Sequence, residues 1–508
     1  MVPRCHALLL ATFLPAVFFS ALPMEERSEA EMKSESFDRD PGWEGHRNHI
    51  VLKEYPTIVQ DFGFSKTHFA GKAPGEMGGQ VWRASEPAYY AAKIGHKTLD
   101  DKLSASGTFA LTKSTSESGI FFGFFRAEQP GGGGRPVSSL GLDMDGEPGG
   151  ARLAVRLITG KNQSCGTFIT PFLPGKFRPT PIRNDGTRYR WKLDYDPQAA
   201  DGRGRFTFTL QSDAHKPGEL ERADWPENYK QEARRRFPNV TTFSVDLPEG
   251  FKRQGTVFDH FGLMNMMKAG GRLSIYLDDL QYDGRTEEFA QEPNWDASGN
   301  HRTYKATDVA GAHNFGFSNT NYAGGKPGEL GGTFWRSGTY AYYADRIGPL
   351  SLANRLQASG KVVLKVGAPD SDMYLGWFNS ANKEKPPTQA GHFLGVHIGG
   401  PTRIGHYFQP SFVTAKGTRG QAAAGPVLTP GTVYNWSLVY DPNAERGNGA
   451  ITVTLGEESV TLALKKGIKG QGARFDRFGV FTPAIGGQIV RIYLDDLKYT
   501  ALPLRPEP

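Results

Sequence analysis

The sequence predicts an all-β chain that folds as two tandem jelly-roll β-sandwich domains, derived from an internal duplication. Three observations predict this fold: a long segment repeats in register, apolar and polar residues alternate along short runs, and Gly and Pro account for 63 and 34 of 508 residues. Alternation with a period of two is typical of strands with one buried face. Many short strands between turns indicate a sandwich or barrel.

The duplication is visible as short identical motifs. The run Phe-Gly-Phe-Ser at residues 62–65 recurs at 315–318, a shift of 253 residues. The run Ile-Tyr-Leu-Asp-Asp-Leu at 275–280 recurs at 492–497, a shift of only 217 residues. The first copy therefore carries 36 more residues than the second, and a charged stretch near 212–252 accounts for much of this insertion.

The repeats predict where each sandwich begins and ends. Residues near 37–49 match those near 289–301, which marks the start of each copy. We therefore expect a first sandwich over 37–285 and a second over 289–500. Residues 24–36 form a charged linker in this interpretation, and 501–508 form a tail.

The N-terminal 23 residues have the pattern of a secretory signal peptide. Arg4 precedes an apolar core that is followed at once by charged residues from Glu25 onward. This predicts a secreted, periplasmic or cell-surface protein with no transmembrane segment after cleavage. The alternative is a retained membrane anchor. Cleavage would remove Cys5 and leave Cys165 alone, so no intrachain disulfide is expected.

Composition argues against several classes of function. The net charge of +6 is modest for 508 residues and the basic residues are scattered, whereas nucleic-acid binding requires a concentrated basic face. The sequence contains no phosphate loop, dinucleotide fingerprint or zinc-spaced Cys and His pairs. No organic cofactor and no nucleic-acid partner are therefore predicted.

A repeated aromatic and charged segment is the first candidate site. Aromatic faces stack on sugar rings, while guanidinium and carboxylate groups bind hydroxyls or a uronate. The alternative is that the aromatic side chains are core and that Glu76 pairs with Arg83 to close a turn. The candidate residues are Glu76, Trp82, Arg83, Tyr89 and Tyr90, with Trp335, Arg336 and Tyr342 in the second copy.

The closing Tyr-Leu-Asp-Asp-Leu strand of each copy is the second candidate. Adjacent carboxylates on a strand point to opposite faces, so Asp278 and Asp279 are not expected to act as an acid–base pair. Either one, and likewise Asp495 or Asp496, is instead a candidate ligand for a structural calcium ion, which prefers oxygen ligands. A hydrogen bond that tethers a loop is the alternative.

This closing strand, at 275–282 and 492–499, resembles the final strands of concanavalin A-like or laminin G-like jelly rolls in secreted bacterial proteins. The resemblance implies a concave sheet that binds sugar, sometimes with calcium, and in some members glycoside hydrolase or polysaccharide lyase activity. The sequence lacks the Glu-x-Asp-x-x-Glu strand of the retaining hydrolases of that superfamily.

The third candidate group occurs in the first copy alone. A lyase that acts on a uronate needs a base such as His or Tyr, and Arg, Asn or Gln to neutralise the carboxylate. The alternative is that these are scattered loop residues. The group consists of His68, Asn162, Gln163, Arg178, Arg183, Tyr189 and His260.

The sequence thus predicts a secreted carbohydrate-active protein that binds a polysaccharide, with an anionic one among the candidates, through its first sandwich. His68, Glu76, Arg83, Tyr89 and His260 are the candidate catalytic residues of a lyase or hydrolase. The alternative is a non-enzymatic surface or adhesion protein that recognises a glycan or another protein.

Overall fold

A computed structural model describes residues 30–127, 134–170, 179–214, 220–236, 241–306, 313–336, 338–368, 370–400 and 405–503. The predicted signal peptide lies outside the described residues, as do Arg178 and parts of the predicted linker and tail. No helix in the described ranges is long and apolar enough to cross a membrane.

The described chain is built almost entirely of strands. The strands up to residue 287 are β1 (Glu31–Glu35), β2 (Glu44–His46), β3 (His49–Ile50), β4 (Thr57–Ser65), β5 (Glu76–Trp82), β6 (Tyr89–Thr98), β7 (Leu103–Ser114), β8 (Ser118–Phe125), β9 (Ser139–Glu147), β10 (Gly150–Ile158), β11 (Ser164–Phe168), β12 (Arg188–Asp196), β13 (Arg205–Ser212), β14 (Thr242–Asp246), β15 (Val257–Asn265), β16 (Arg272–Tyr282) and β17 (Arg285–Glu287).

The remaining strands are β18 (Asp296–Ser298), β19 (His301–Lys305), β20 (His313–Ser318), β21 (Glu329–Trp335), β22 (Tyr342–Ser351), β23 (Leu356–Gly367), β24 (Asp372–Phe378), β25 (Phe393–Gly399), β26 (His406–Val413), β27 (Arg419–Gln421), β28 (Val427–Leu428), β29 (Val433–Asp441), β30 (Ala450–Leu455), β31 (Glu458–Ala463), β32 (Arg474–Phe481) and β33 (Ile489–Ala501). The helical segments are α1 (Glu227–Arg236), α2 (Pro387–Ala390) and α3 (Ala444–Gly447), with 3-10 turns at Phe251–Arg253 and Lys469–Gln471.

The strands form two sandwiches, each made of two antiparallel sheets. The first sandwich packs the order β14-β13-β12-β7-β16-β5-β4-β19, with β17 beside β16, against β11-β10-β9-β8-β15-β6-β18. The second packs β3-β20-β21-β33-β23-β29-β30-β31, with β1 beside β33, against β2-β22-β32-β24-β25-β26-β27, with β28 beside β26. The all-β jelly-roll prediction is confirmed, while the duplication stays a prediction from the sequence.

Alternating side chains build each core. In β13, Phe206, Phe208 and Leu210 are buried, while Thr207 and Thr209 between them face outward. Each such apolar side chain contributes roughly 1.5–3 kcal/mol when it leaves water. The alternation that predicted strands therefore also identifies the face that holds the two sheets together.

The predicted insertion contains both new and shared elements. Helix α1 lies within it, and Trp225, Tyr229 and Ala233 form a small apolar cluster there. Strand β14 follows and pairs with β13, as β31 pairs with β30 in the second sandwich. The residues before β14 are thus the part that lacks a counterpart in the strand order.

The segment that opens each predicted copy lies in the sandwich that the other copy forms. Strands β1, β2 and β3 pair with β33, β22 and β20 of the second sandwich. Strands β17, β18 and β19 pair with β16, β6 and β4 of the first. Each sandwich is therefore completed by strands from the segment that opens the other predicted copy.

Side chains of these segments enter the cores that they cover. Trp43 is buried among Phe37, Tyr343 and Tyr499, with ring centroids 5.2, 5.8 and 6.1 Å away. Trp295 packs on Tyr90 in the first sandwich at 5.4 Å. The exchange is thus anchored by aromatic packing as well as by strand pairing.

Candidate functional site

One face of the seven-stranded sheet of the first sandwich points away from the core and carries the candidate site. In β8, Ile120, Phe122 and Phe124 enter the core, so Phe121 and Phe125 point to the other face. Residues of the neighbouring strands β6 and β15 that pair with outward-pointing residues share this outer face.

Tyr89 and His260 meet on this outer face around one carboxylate. The Tyr89 hydroxyl donates to Asp296 Oδ2 at 3.2 Å, and His260 Nε2 lies 3.1 Å from the same oxygen. His260 Nδ1 lies 2.6 Å from Asp259 Oδ1. An imidazole donates to both carboxylates at once only when both ring nitrogens carry protons. We call these four residues the Tyr89 cluster.

The electrostatics of the Tyr89 cluster follow from partial burial and close charges. Burial, together with the negative charge of Asp296, raises the pKa of Tyr89 to about 12. Burial alone would raise the pKa of Asp296, but the hydrogen bond from His260 and the charge of Lys93 outweigh it, and that pKa is lowered. Tyr89 therefore keeps its proton at neutral pH and Asp296 is ionised.

The Tyr89 cluster opens to solvent at one edge. The side chain of His260 is 9% exposed and that of Asp296 is 30% exposed. Lys93, whose Nζ lies 3.6 Å from Asp296 Oδ2, is 71% exposed. A ligand would therefore reach the cluster from the side of Asp296 and Lys93. Asp296 comes from the exchanged strand β18, so the site is incomplete without the second repeat's opening segment.

The second sandwich holds a similar cluster with different chemistry. Glu44 accepts hydrogen bonds from Tyr342 and from Lys383, the latter at 2.7 Å, and its Oε2 lies 3.1 Å from Arg477 Nε. Burial acts to raise the pKa of Glu44, yet these three donors lower it to about 2. Arg477 stands where the first sandwich has His260, and a guanidinium does not release a proton at physiological pH.

A charged group further along the outer face was missed in the sequence. Asp143, on β9, is 1% exposed and lies 2.6 Å from Arg135 Nε and 3.2 Å from Arg156 Nε. The sequence signal that indicates it is the alternation of acidic residues in β9 together with two arginines four residues apart in β10, because such positions share one face of neighbouring strands.

Glu76 holds a loop together inside the fold. Its carboxylate accepts from Thr67 Oγ1 at 2.5 Å, Phe69 N at 2.9 Å and Ala70 N at 2.7 Å, and the residue is fully buried. Glu329 makes the matching contacts in the second sandwich. Glu76 does close a turn, but through Thr67 and backbone amides rather than through Arg83.

The predicted aromatic binders divide between core and sandwich boundary. Tyr90 is buried against Trp295, and Tyr342 is buried beside His46. Trp82 is stacked by Arg272, 5.2 Å from its ring, next to a small apolar cluster at the boundary. Trp335 Nε1 donates to Gly487 O at 3.3 Å. The structure therefore does not gather these rings into one exposed platform.

The remaining residues of the predicted lyase group lie apart from the Tyr89 cluster. His68 borders a surface cleft with Asp185 and Arg188. Gln163 accepts from Gln254 at 2.6 Å beside Asn162, in the turn between β10 and β11.

Arg183 and Tyr189 of that group meet beside another surface cleft, with Arg183 in the loop before β12 and Tyr189 buried on β12. Arg183 lines a cleft with Arg222 and Asp224, and its backbone N donates to the Tyr189 hydroxyl at 2.9 Å. Arg178 lies outside the described residues. Of the five candidate catalytic residues, only Tyr89 and His260 come together.

The paired aspartates at the end of each sandwich differ in exposure. Asp278 and Asp495 are buried, whereas Asp279 and Asp496 are exposed with positive φ. Burial raises the pKa of Asp278 to about 7 and that of Asp495 to about 6. A Cβ added at Gly71 would collide with Asp278 Oδ2, so this carboxylate is packed against backbone.

The described residues contain no group of three or more His, Cys, Asp or Glu side chains arranged to hold a metal ion. Asp278 Oδ1 accepts the backbone N–H of Asp279 at 2.8 Å. Calcium at Asp278 would need its other ligands from backbone oxygens and water. The side chains alone therefore do not make a calcium cage.

Comparison with known proteins gives likenesses at the level of the fold. No protein-family model matches the sequence, and no curated protein matches it. An endo-β-1,4-glucuronan lyase from the fungus Trichoderma reesei matches with a TM-score of 0.28 and 10% identity, over 39% of this chain and 91% of that one. Lectin II from Ulex europaeus matches with a TM-score of 0.24 and 12% identity, over 39% and 94%.

A third match covers more of the chain. The LG1-3 region of the laminin alpha2 chain matches with a TM-score of 0.20 and 9% identity, over 84% of this chain and 69% of that one. The strand order above, and not these matches, defines the fold.

Proposed function

We propose that this protein is carbohydrate-active and that its first sandwich binds a polysaccharide at the Tyr89 cluster. One observation carries the proposal: a tyrosine and a histidine on neighbouring strands share one oxygen of a partly exposed aspartate. Hydroxyl, imidazole and carboxylate groups at one opening match the donors and acceptors of sugar hydroxyls. Lys93 adds a positive charge at the rim.

The reaction that these groups support best is β-elimination on a uronate. In this proposal, substrate displaces Asp296 from His260 Nε2, while Asp259 keeps its hydrogen bond to Nδ1. Nε2 of the neutral ring takes the proton from the carbon that bears the uronate carboxylate. A double bond then forms between that carbon and its neighbour, and the bond from this neighbour to the glycosidic oxygen breaks. Tyr89, which keeps its proton at neutral pH, donates it to the leaving oxygen.

Hydrolysis through Glu76 is not part of the proposal. A general acid or nucleophile must reach the glycosidic oxygen or the anomeric carbon. Glu76 is fully buried and both its oxygens accept hydrogen bonds from the loop. Glu76 holds the loop conformation in the first sandwich, as Glu329 does in the second.

The second sandwich favours a role in binding alone. Glu44 is held by Tyr342, Lys383 and Arg477 together, so a guanidinium, which does not act as a base, occupies the position that His260 has in the first sandwich. If the first sandwich also proves inactive, the protein is a non-enzymatic glycan- or protein-recognising surface protein. Export and a structural calcium ion at Asp278 or Asp495 remain proposals from the sequence.

The test is a screen of the chain without residues 1–23 against neutral, uronic and sulfated polysaccharides, with and without calcium. Reducing ends and the absorbance of unsaturated products are recorded together. We expect unsaturated products from a uronic polysaccharide, lost in His260→Gln and Tyr89→Phe. Arg355→Gln, at an exposed arginine paired with Asp441 away from both clusters, is the control and keeps the activity.

Two outcomes would overturn parts of this proposal. Reducing ends without unsaturated products would establish hydrolysis instead of elimination. Binding of a polysaccharide without any product, from a folded sample, would leave the non-enzymatic alternative. Absence of both binding and cleavage across the panel would refute the carbohydrate proposal itself.

A further inference from the structure

A charged cleft lies between the two sandwiches. It has a volume of about 500 Å³, within the range of about 300–1,000 Å³ that small-ligand sites occupy. Its lining comes from both halves of the chain and includes Arg83, Glu117, Asp145, Glu147, Arg152 and Lys268 from the first, and Arg336, Asp370 and Gln488 from the second.

Polar contacts between the sandwiches form one rim of the cleft. Lys268 Nζ lies 2.7 Å from Asp370 Oδ2, and Ala269 N donates to Gln488 Oε1 at 3.2 Å. Both contacts join the loop before β16 to residues of the second sandwich. The cleft is therefore a feature of the assembled pair of sandwiches and not of either one alone.

Most charges around the cleft have partners of opposite sign. Lys268 is paired with Asp370 at 2.7 Å. Arg152 lies 3.5 Å from Glu147. Arg336 Nε lies 3.6 Å from Asp372 Oδ1, which is an ion-pair distance but too long for a hydrogen bond.

Arg83 differs from the other basic residues of the cleft. It is only 6% exposed, and its Nη1 donates to the backbone oxygen of Glu117 at 2.8 Å. Among the described residues, no carboxylate lies within ion-pair distance of it, and its Nε has no hydrogen-bond partner. Burial lowers the pKa of Arg83, because the charged form loses its water.

The more distant carboxylates of Asp145, Glu117 and Asp370 only partly offset the cost of burying the Arg83 charge. An anion that enters the cleft would add a direct partner and relieve more of that cost. A guanidinium binds planar oxyanions with two parallel hydrogen bonds. Arg336, which follows Trp335 as Arg83 follows Trp82, lines the same cleft and retains hydrogen-bonding capacity at its Nε. Two arginines at the same repeat position thus face one cavity.

We propose that this cleft is a subsite for an oxyanion on the polysaccharide, a uronate carboxylate or a sulfate ester, with Arg83 as its main contact and Arg336 as its second. This rests on the proposed carbohydrate function and deepens it by giving the acidic polysaccharide a second binding contact, between the two sandwiches. The subsite is distinct from the Tyr89 cluster, since no residue is shared between them.

The test uses the chain without residues 1–23 and isothermal titration at constant ionic strength. The probes are a glucuronate-containing oligosaccharide, its carboxyl-reduced neutral counterpart, a sulfated oligosaccharide and inorganic sulfate. We expect the acidic probes to bind at least about tenfold more tightly than the neutral one, which is the scale of one charge-assisted pair. The carboxylate and sulfate arms identify which oxyanion the cleft prefers.

The first variant is Arg83→Lys, which keeps the positive charge but removes the two parallel hydrogen-bond donors of the guanidinium. The second is Arg336→Gln, on the side of the cleft that the second sandwich forms. Both should reduce the preference for acidic probes by about tenfold. Arg355→Gln is the matched control, because Arg355 is an exposed arginine paired with Asp441 away from the cleft. Thermal unfolding checks folding, and Arg336→Gln carries the test if Arg83→Lys does not fold.

The outcomes separate this inference from the proposed function. If acidic and neutral oligosaccharides bind equally well, or if both variants keep the preference for acidic probes, the oxyanion subsite is refuted. The proposed function of the Tyr89 cluster is not affected by either result. Arginine-dependent binding of inorganic sulfate without any binding of polysaccharide would support the oxyanion contact and refute the carbohydrate function. No binding of any probe would refute both.

Discussion

Replacement of Trp43 by Ala should destabilise the second sandwich, although Trp43 lies nearly three hundred positions before most of the strands that form that sandwich. Its ring is 8% exposed and packs on Phe37, Tyr343 and Tyr499. Loss of a buried Trp side chain costs about 3–5 kcal/mol through lost transfer energy and the cavity that remains. For a domain of roughly 200 residues, this lowers the unfolding temperature by about 6–20 °C.

Hydrogen exchange read peptide by peptide shows which sandwich loosens. In Trp43→Ala, exchange should rise in β20, β22 and β33, which pair with the N-terminal strands. Strands β4 and β6 of the first sandwich should keep the exchange rates of the unchanged protein. The matched variant Trp295→Ala should show the reverse pattern, with a smaller cost because Trp295 is only half-buried.

One result would refute this reasoning about the exchanged segments. If Trp43→Ala loosens β4 to β16 and leaves β20 to β33 unchanged, then residues 31–50 belong to the first sandwich in solution. Equal loosening of both halves would instead mean that the two sandwiches unfold as one unit.

Three further predictions test individual residues. The folded pKa of Asp278, about 7, exceeds its ordinary value of 3.8, so the native state binds more protons and stability should fall as pH rises between these values. In thermal unfolding, Asp278→Asn should no longer show this decrease in stability with pH. A wild-type protein that gains stability toward pH 7 relative to this variant would contradict the prediction. Glu76→Gln and Glu329→Gln should each lower the free energy of unfolding in urea by about 1–3 kcal/mol, because both carboxylates accept hydrogen bonds from buried backbone amides. Unchanged stability with lost activity would contradict this. Burial raises the pKa of the Cys165 thiol to about 12, so it should react with a disulfide reagent at mildly alkaline pH only after unfolding, and rapid labelling of the native protein would contradict this.

The candidate site was only partly predictable from the sequence. The sequence indicates Tyr89 as part of the repeated aromatic segment and His260 as a base for an elimination, and the two residues lie on neighbouring strands. The carboxylate that joins them was not selected, since Asp296 lies in the segment assigned to the second copy. Residue type is local information, whereas the partner depends on strand pairing across the chain.

The sequence by itself determined that the chain is all-β, because a period-two alternation specifies strands and their buried faces wherever it occurs. It also determined which residues correspond between the two halves, such as Arg83 and Arg336. The tertiary structure alone decided that residues 31–50 complete the second sandwich and that Arg83 and Arg336 line one cleft. Two similar predicted repeats would offer nearly equivalent pairing edges, so the choice between them depends on the connections and on packing that no local pattern encodes.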